Sequence, residues 1–208
     1  MADTLDKQTR QLASMAYGEG SSDDDLDEMS SIASVLVRQR DARGYNDIGT
    51  FVSAEPSFSF VVSDGNKRYA TLMAATEKQI EANDGMKAAV IAAKNALNGG
   101  PDKSNGAYFW DGADIESNYK HHFKVKQGIK FTDRSHNIYA LKESTKLVIK
   151  YKIIKTRIGE GKAKHFKIKK VEVGRYDHVY ESTAAYGGTI FWTFSKDYLD
   201  VTHAKEYK

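Results

Sequence analysis

LASMAYGEGSSDDDLDE, residues 12–28, holds the end of one helix and the start of the next. Leu12, Met15 and Ala16 recur at helical spacing, which predicts a helix over about Leu5 to Tyr17. Gly18 and Gly20 then bracket a single acid, Glu19, and a run of Ser and Asp follows. Ser21, Ser22 and the Asp run offer N-cap side chains and acids for the positive end of a second helix. That helix, about Leu26 to Arg40, places Leu26, Met29, Ile32, Ala33, Leu36 and Val37 on one broad face.

Outward from there, residues 1 to about 100 read mainly as helix. RDARGYNDIG is a connection, and SAEPSFSFVVSDGNKRY is irregular, with Pro56 breaking any helix and Asp64-Gly65 marking a turn. A helix over about Arg68 to Ala82 follows. DGMKAAVIAAKNALNGG is a short alanine-rich helix, with Asp84 as its expected cap and Gly99-Gly100-Pro101 ending it. The texture then changes. GAYFWDG and HNIYAL are short and aromatic or β-branched, and GGTIFWTF reads as a strand. KLVIKYKIIKTRIGEGKAKHFKIKKVEV alternates apolar and basic residues about a Gly-rich turn, the pattern of a β-hairpin. The fold class expected is α+β: a mainly helical core over 1–142 and a basic β appendage over 143–208, packed on that core.

Composition narrows the chemistry. With 208 residues the chain can bury one good core, and it has no cysteine, so disulfides and thiol catalysis are excluded. No run approaches the length needed to span a membrane, and MADTLDKQTR lacks the apolar core of a secretion signal. From Lys142 to Arg175 twelve Lys or Arg face three Glu, a charge of +9 within a chain whose total is +3. Such a segment suits a polyanionic partner (nucleic acid, anionic lipid or an acidic cell-wall polymer) or is simply a solvated hairpin whose lysines discourage edge-to-edge aggregation.

Several motifs fall short of a site. Asp23-x-Asp25-x-Asp27 mimics a calcium loop, but Glu28 stands where its glycine belongs and Ser34 where its bidentate acid belongs. GEGK at 159–162 lacks the flanking residues of a phosphate loop, and the His121-His122 pair reads as solvated loop. No metal and no cofactor is expected. Glu19 remains. At a helix C-terminus it faces partly negative carbonyls, and apolar surroundings also disfavour its charge, so its pKa is expected to rise. A carboxylic acid protonated near neutral pH can donate to a glycosidic oxygen. The plainer alternative is an exposed glutamate beside a helix cap.

MAYGEGSSD (15–23) resembles the opening motif, Y-G-E-A-x-G-E, of the spore cortex-lytic cell-wall hydrolases, a lysozyme-like family. Four further stretches follow in that family's order. MSSIASVLVRQR (29–40) resembles its second helix, SFSF (57–60) its Q-F-S-W, AAKNALNGGPDKSNGAYFW (92–110) its A-L-N-G…G-A-x-Y-F, and HNIYAL (136–141) its H-x-F-Y. More loosely, AAYGGTIFW (184–192) is similar to wall-degrading lysozyme modules of type VI secretion effectors. Departures occur where the family has N-R (here Arg38-Gln39), Gln (Ser57) and a second Glu (Asp23).

The resemblance implies a muramidase acting on the MurNAc–GlcNAc β-1,4 bond of peptidoglycan, with Glu19 as general acid. It implies a cleft lined by Phe58, Ser59, Tyr108, Phe109, His136 and Tyr139. Asp23 and Asp111 are the candidates for a second carboxylate. With one, hydrolysis follows; without one, the substrate's own 6-hydroxyl attacks and leaves a 1,6-anhydro end. The expected partners are peptidoglycan glycan strands and a cognate immunity protein, met in the periplasm or wall after delivery. Membrane insertion and nucleic acid are not expected. The rival class is a noncatalytic binder of wall polymer or nucleic acid, using the basic hairpin.

Overall fold

The computed structural model describes residues 5–159 and 165–208 and is an α+β protein. Its first helix, α1 (Lys7–Glu19), is begun by Asp6, whose carboxylate accepts the Thr9 N–H. Leu12, Ala13, Met15 and Ala16 are fully buried, which makes α1 the axis of the helical half. Around it pack α2 (Leu26–Ala42), α5 (Lys67–Ala74) and α7 (Asp84–Leu97). Met29, Ile32, Ala33 and Leu36 of α2, Leu72 of α5 and Ala89, Ala92, Ala93 and Ala96 of α7 pack with α1 into one apolar core.

Between α2 and α7 the chain is more helical than the sequence pattern indicates. α3 (Ile48–Ala54) begins at the end of the expected connection, and the stretch expected to be irregular, 53–69, holds a 3-10 turn (Pro56–Phe58) and α4 (Phe60–Ser63). Pro56 does not prevent helix; it opens the 3-10 turn, where its missing N–H has no partner to lose. The single helix expected over 68–82 is two. α5 ends at Ala74, and Thr76 and Gln79 form a capping box that starts α6 (Glu77–Glu81) afresh. α7 is capped by Asn83 rather than Asp84, which occupies its first turn.

After α7 come β1 (Phe109–Asp111), α8 (Asp114–Ser117), α9 (Phe123–Gln127) and β2 (Ile129–Lys130). The HNIYAL stretch (136–141) starts at the last residue of a 3-10 turn (Arg134–His136) and continues as loop. Then follow β3 (Val148–Ile158), β4 (His165–Tyr176), β5 (Tyr180–Tyr186), β6 (Thr189–Phe194) and α10 (Lys196–Thr202). The expected hairpin is β3–β4, and residues 160–164 of its turn, Lys164 among them, lie outside the described residues.

The four-stranded sheet runs β1-β6-β5-β2, antiparallel except for the parallel β5–β2 pair. It takes β1 and β2 from before residue 142 and β5 and β6 from after it, so the sheet unites the two parts expected to be core and appendage. Alternation along β6 explains why. Ile190, Trp192 and Phe194 join a second core with Ile115, Val125 and Ile129, while Phe191 points into the helical core. A bulge between Ser182 and Ala184 flips the pleat of β5, so Tyr180 packs in the second core and Ala184 in the first. Only β3–β4 stands apart, held at its base by α10: Tyr176 meets Tyr198 edge-on at 5.2 Å, and a Cβ on Gly174 would lie 2.4 Å from Val201.

Candidate active site

Glu19 is the last residue of α1, and the chain turns away at Gly20, whose N–H still donates to Ala16 O. Gly18 is required by packing. A Cβ there would lie 2.6 Å from Val61 Cγ2 of α4 and 3.1 Å from Tyr69 of α5. Gly18 therefore allows α4 and α5 to close over the end of the helix, while Gly20 sits against Ala16 O and Met29 of α2; both glycines serve packing. They do not unravel it: Gly18 and Glu19 are both helical, although the sequence pattern ends the helix at Tyr17.

The carbonyls at this helix end are not free. Arg68 Nε donates to Tyr17 O at 2.7 Å, and Asn66 Nδ2 donates to Gly18 O at 3.0 Å. The Arg68 guanidinium also lies 3.8 Å over the Tyr17 ring and pairs with Asp24 at 2.7 Å. The Glu19 carboxyl is nonetheless pushed up to about 6, first by burial, then by the charges of Asp64 and Asp114, while hydrogen bonding from Trp110 and the Val61 backbone works the other way. Of the two causes expected from sequence, apolar burial is the leading one here and the acids Asp64 and Asp114 add to it, whereas Arg68 and Asn66 occupy the helix-end carbonyls that were the other.

Trp110, on β1, lies beside Glu19 and also lines an aromatic cleft of about 430 Å³ whose lining does not include Glu19 itself. Phe58, Phe109, Trp110 and Phe123 line it, with Arg43 and Lys124 as cations beside them. Phe58 lies 6.0 Å from Trp110 and 6.5 Å from Phe109, ring centre to ring centre. Thus Phe58, Phe109 and Asp111, among the residues expected to line the cleft, do converge there.

The others have different places. Ser59 is buried, and its hydroxyl donates to Val52 O at 2.8 Å and Glu55 O at 3.2 Å, which fixes the 3-10 turn rather than facing the cleft. Tyr108 lines a separate depression with Arg38 and Asp102. Gln39 Nε2 donates to Tyr108 O at 2.8 Å, so the pair replacing the family's N-R holds the segment that leads into β1. His136 Nδ1 lies 3.0 Å from Ser182 Oγ on β5.

The two candidate second acids stand in different settings. Asp23 is exposed in the turn before α2, and the capping belongs to Asp25, which accepts from Asp27 N at 2.8 Å and Glu28 N at 3.2 Å. Asp111 is buried against Lys124 at 2.7 Å and His122 at 3.3 Å. His122 is therefore buried, not the solvated loop residue expected of it. Asp111, Asp114 and His122 bring one metal-ligating atom each to within 4.8 Å of one another, and the Lys124 ammonium already supplies a positive charge to Asp111. The carboxylates whose charges reach Glu19 are Asp64 and Asp114.

Glu28 was missed. It is fully buried on α2 and accepts four hydrogen bonds: Ser21 N (2.8 Å), Ser21 Oγ (2.6 Å), Gly188 N (3.0 Å) and Thr189 Oγ1 (2.7 Å). It thereby ties the loop just after Glu19 to the β5–β6 turn. Gly187, at φ +53°, would place a Cβ 2.5 Å from Glu28 Oε2, so the turn reaches the carboxylate only with glycine there. Tyr139 closes the same corner by donating to Gly188 O at 2.6 Å. Its phenol pKa is raised, first by burial and then by the neighbouring Glu28. The sequence signal for Glu28 was an acid on the apolar face shared by Ile32 and Leu36.

No family model matches this chain, and neither a curated protein nor a solved structure is found to be similar to it.

Proposed function

We propose that this protein is a lysozyme-like glycosidase that cleaves the MurNAc–GlcNAc β-1,4 bond of peptidoglycan, with Glu19 as general acid. The observation that carries the reading is a single acid held near pKa 6 at the end of a buried helix, next to an aromatic cleft. A carboxyl of that pKa is about half protonated at pH 6, well above the range of an ordinary glutamate, and can give its proton to the leaving oxygen. Phe58, Phe109 and Trp110 offer rings on which sugar faces pack, and Trp110 and the Val61 backbone lie on the side of the Glu19 carboxyl where they favour its charged form. Asp64 or Asp114, rather than Asp23 or Asp111, serves as the second carboxylate where water completes the cleavage. The protein works on glycan strands in the bacterial periplasm or wall after delivery, and an immunity protein guards the cell that makes it.

A lytic transglycosylase is the second reading, favoured by the ion pair that occupies Asp111 and by the exposed position of Asp23. Mass spectrometry of soluble products from purified peptidoglycan tests both. Disaccharide muropeptides with reducing MurNAc ends fit hydrolysis, and 1,6-anhydro ends fit transglycosylation. Absence of glycan cleavage, or release of peptides alone, removes the proposal.

A further inference from the structure

The β3–β4 arm serves no core. From Lys150 to Ile158 every residue is exposed, and β4 is exposed over most of its length. A lone two-stranded ribbon is marginally stable in water, so a long one rich in exposed apolar side chains is built to be covered.

The register shows how its side chains are sorted. Residues directly opposite in an antiparallel pair share a face. One face therefore carries the pairs Tyr151–Glu172, Ile153–Lys170, Lys155–Ile168 and Arg157–Phe166. On it Tyr151, Ile153, Ile168 and Phe166 form a diagonal apolar stripe from base towards tip. These four are 53–65% exposed, against 40–41% for Ile154 and Ile158 on the opposite face. Lys170 flanks the stripe on one side, and Lys155 and Arg157 on the other. Lys152, Lys167 and Lys169 lie on the opposite face, and Glu172, already paired with Arg175 at 2.7 Å, is the only acid in β3 and β4.

We infer that this face docks on the surface of a bilayer rich in anionic phospholipid. A soluble polyanion would neutralise the lysines and leave the stripe in water. A lipid interface satisfies both, taking the aromatic and aliphatic side chains at the acyl boundary and the cations at its phosphates. Lys152, Lys167 and Lys169 reach the same phosphates around the edges of a ribbon only two strands wide. Size also favours lipid over protein. Eleven residues of two strands make a face of roughly 350 Å², below the roughly 800 Å² per partner of a stable protein interface. A fluid surface needs no such area or shape match. The inference does not depend on Glu19 or on any glycosidase activity; it adds a surface that would hold the protein at the membrane beside its work.

Vesicle sedimentation tests it with the whole chain. Binding to phosphatidylcholine vesicles containing about 30% phosphatidylglycerol is expected to exceed binding to pure phosphatidylcholine at least tenfold, and to weaken with salt. The double variant Ile153→Ser/Phe166→Ser is expected to lose about tenfold while keeping its melting temperature, since neither residue is in a core. Lys155→Gln/Lys170→Gln loses a similar amount through charge alone. The inference is overturned if the apolar variant binds these vesicles as wild type does. It is equally overturned if soluble polyphosphate or duplex DNA is bound and vesicles are not, or if light scattering shows a dimer that the apolar variant dissolves.

Discussion

The two glycine-bearing turns around Glu28 and the β3–β4 arm use the same ingredients to opposite ends. At Glu28 a charged side chain is fully buried and every oxygen is spoken for by Ser21, Gly188 and Thr189. In the arm, Ile, Phe and Tyr are left in water beside lysines that have no apolar pocket to line. Polar groups stay inside where they fix geometry, because an unpartnered one costs too much to keep. Apolar groups stay outside where something else is to cover them. The first region positions Glu19; the second does nothing for the fold.

Mutations should separate them cleanly. The largest effect belongs to the buried corner. Gly187→Ala must accommodate a Cβ 2.5 Å from Glu28 at φ +53°, and is expected to cost about 2–4 kcal/mol. Glu28→Ala strands the Ser21, Gly188 and Thr189 donors and opens a cavity, for about 3 kcal/mol. Chemical denaturation measures both, and a change under about 1 kcal/mol in either would mean that the corner is not the hinge-pin of the site. Next comes the start of α2. Asp25→Ala is expected to cost about 1 kcal/mol as a lost N-cap, whereas Asp23→Asn, in the exposed turn beside it, stays within about 0.5 kcal/mol and keeps activity. A stable but inactive Asp23→Asn protein would restore Asp23 as the second catalytic acid. The smallest effect is in the arm, where Ile153→Ser/Phe166→Ser should shift stability by less than about 0.5 kcal/mol. A larger loss would show the arm to be part of the fold after all.

What the sequence reveals follows the same division. The arm was legible as a hairpin, because strand alternation is local, whereas its register and the bulge at Lys150/Tyr151 were not. The long helices α1, α2 and α7 were legible for the same reason, since period and caps lie within a few residues of each other. The break at Ala75 was not, because Thr76 and Gln79 cap a helix where the propensities of Lys78 and Ile80 merely continue one. The site itself was half legible. Glu19 could be picked out by its glycines, but Trp110, Asp64 and Asp114 reach it only through tertiary packing. The bond from Gly188 to Glu28 spans 160 residues, and no local pattern encodes it.

The central claim is that Glu19 is a buried acid, still partly protonated at about pH 6, that performs the cleavage. Its pKa, raised from 4.5 to about 6, makes a testable sign. Above pH 6 the folded protein must hold a buried carboxylate that the unfolded chain solvates freely, so the fold is penalised by up to about 2 kcal/mol. Below pH 4.5 the group is protonated in both states and the penalty vanishes. The measurement is the Glu19→Gln protein beside wild type, with unfolding free energy and muropeptide release followed from pH 4 to 8 (about the range of carboxyl titration). The account predicts a variant more stable than wild type at pH 7.5 by up to about 2 kcal/mol, an advantage gone by about pH 4. It also predicts wild-type release that declines above about pH 6 and a variant slower by roughly 100- to 10,000-fold. A folded Glu19→Gln protein that releases muropeptides at the wild-type rate would contradict it.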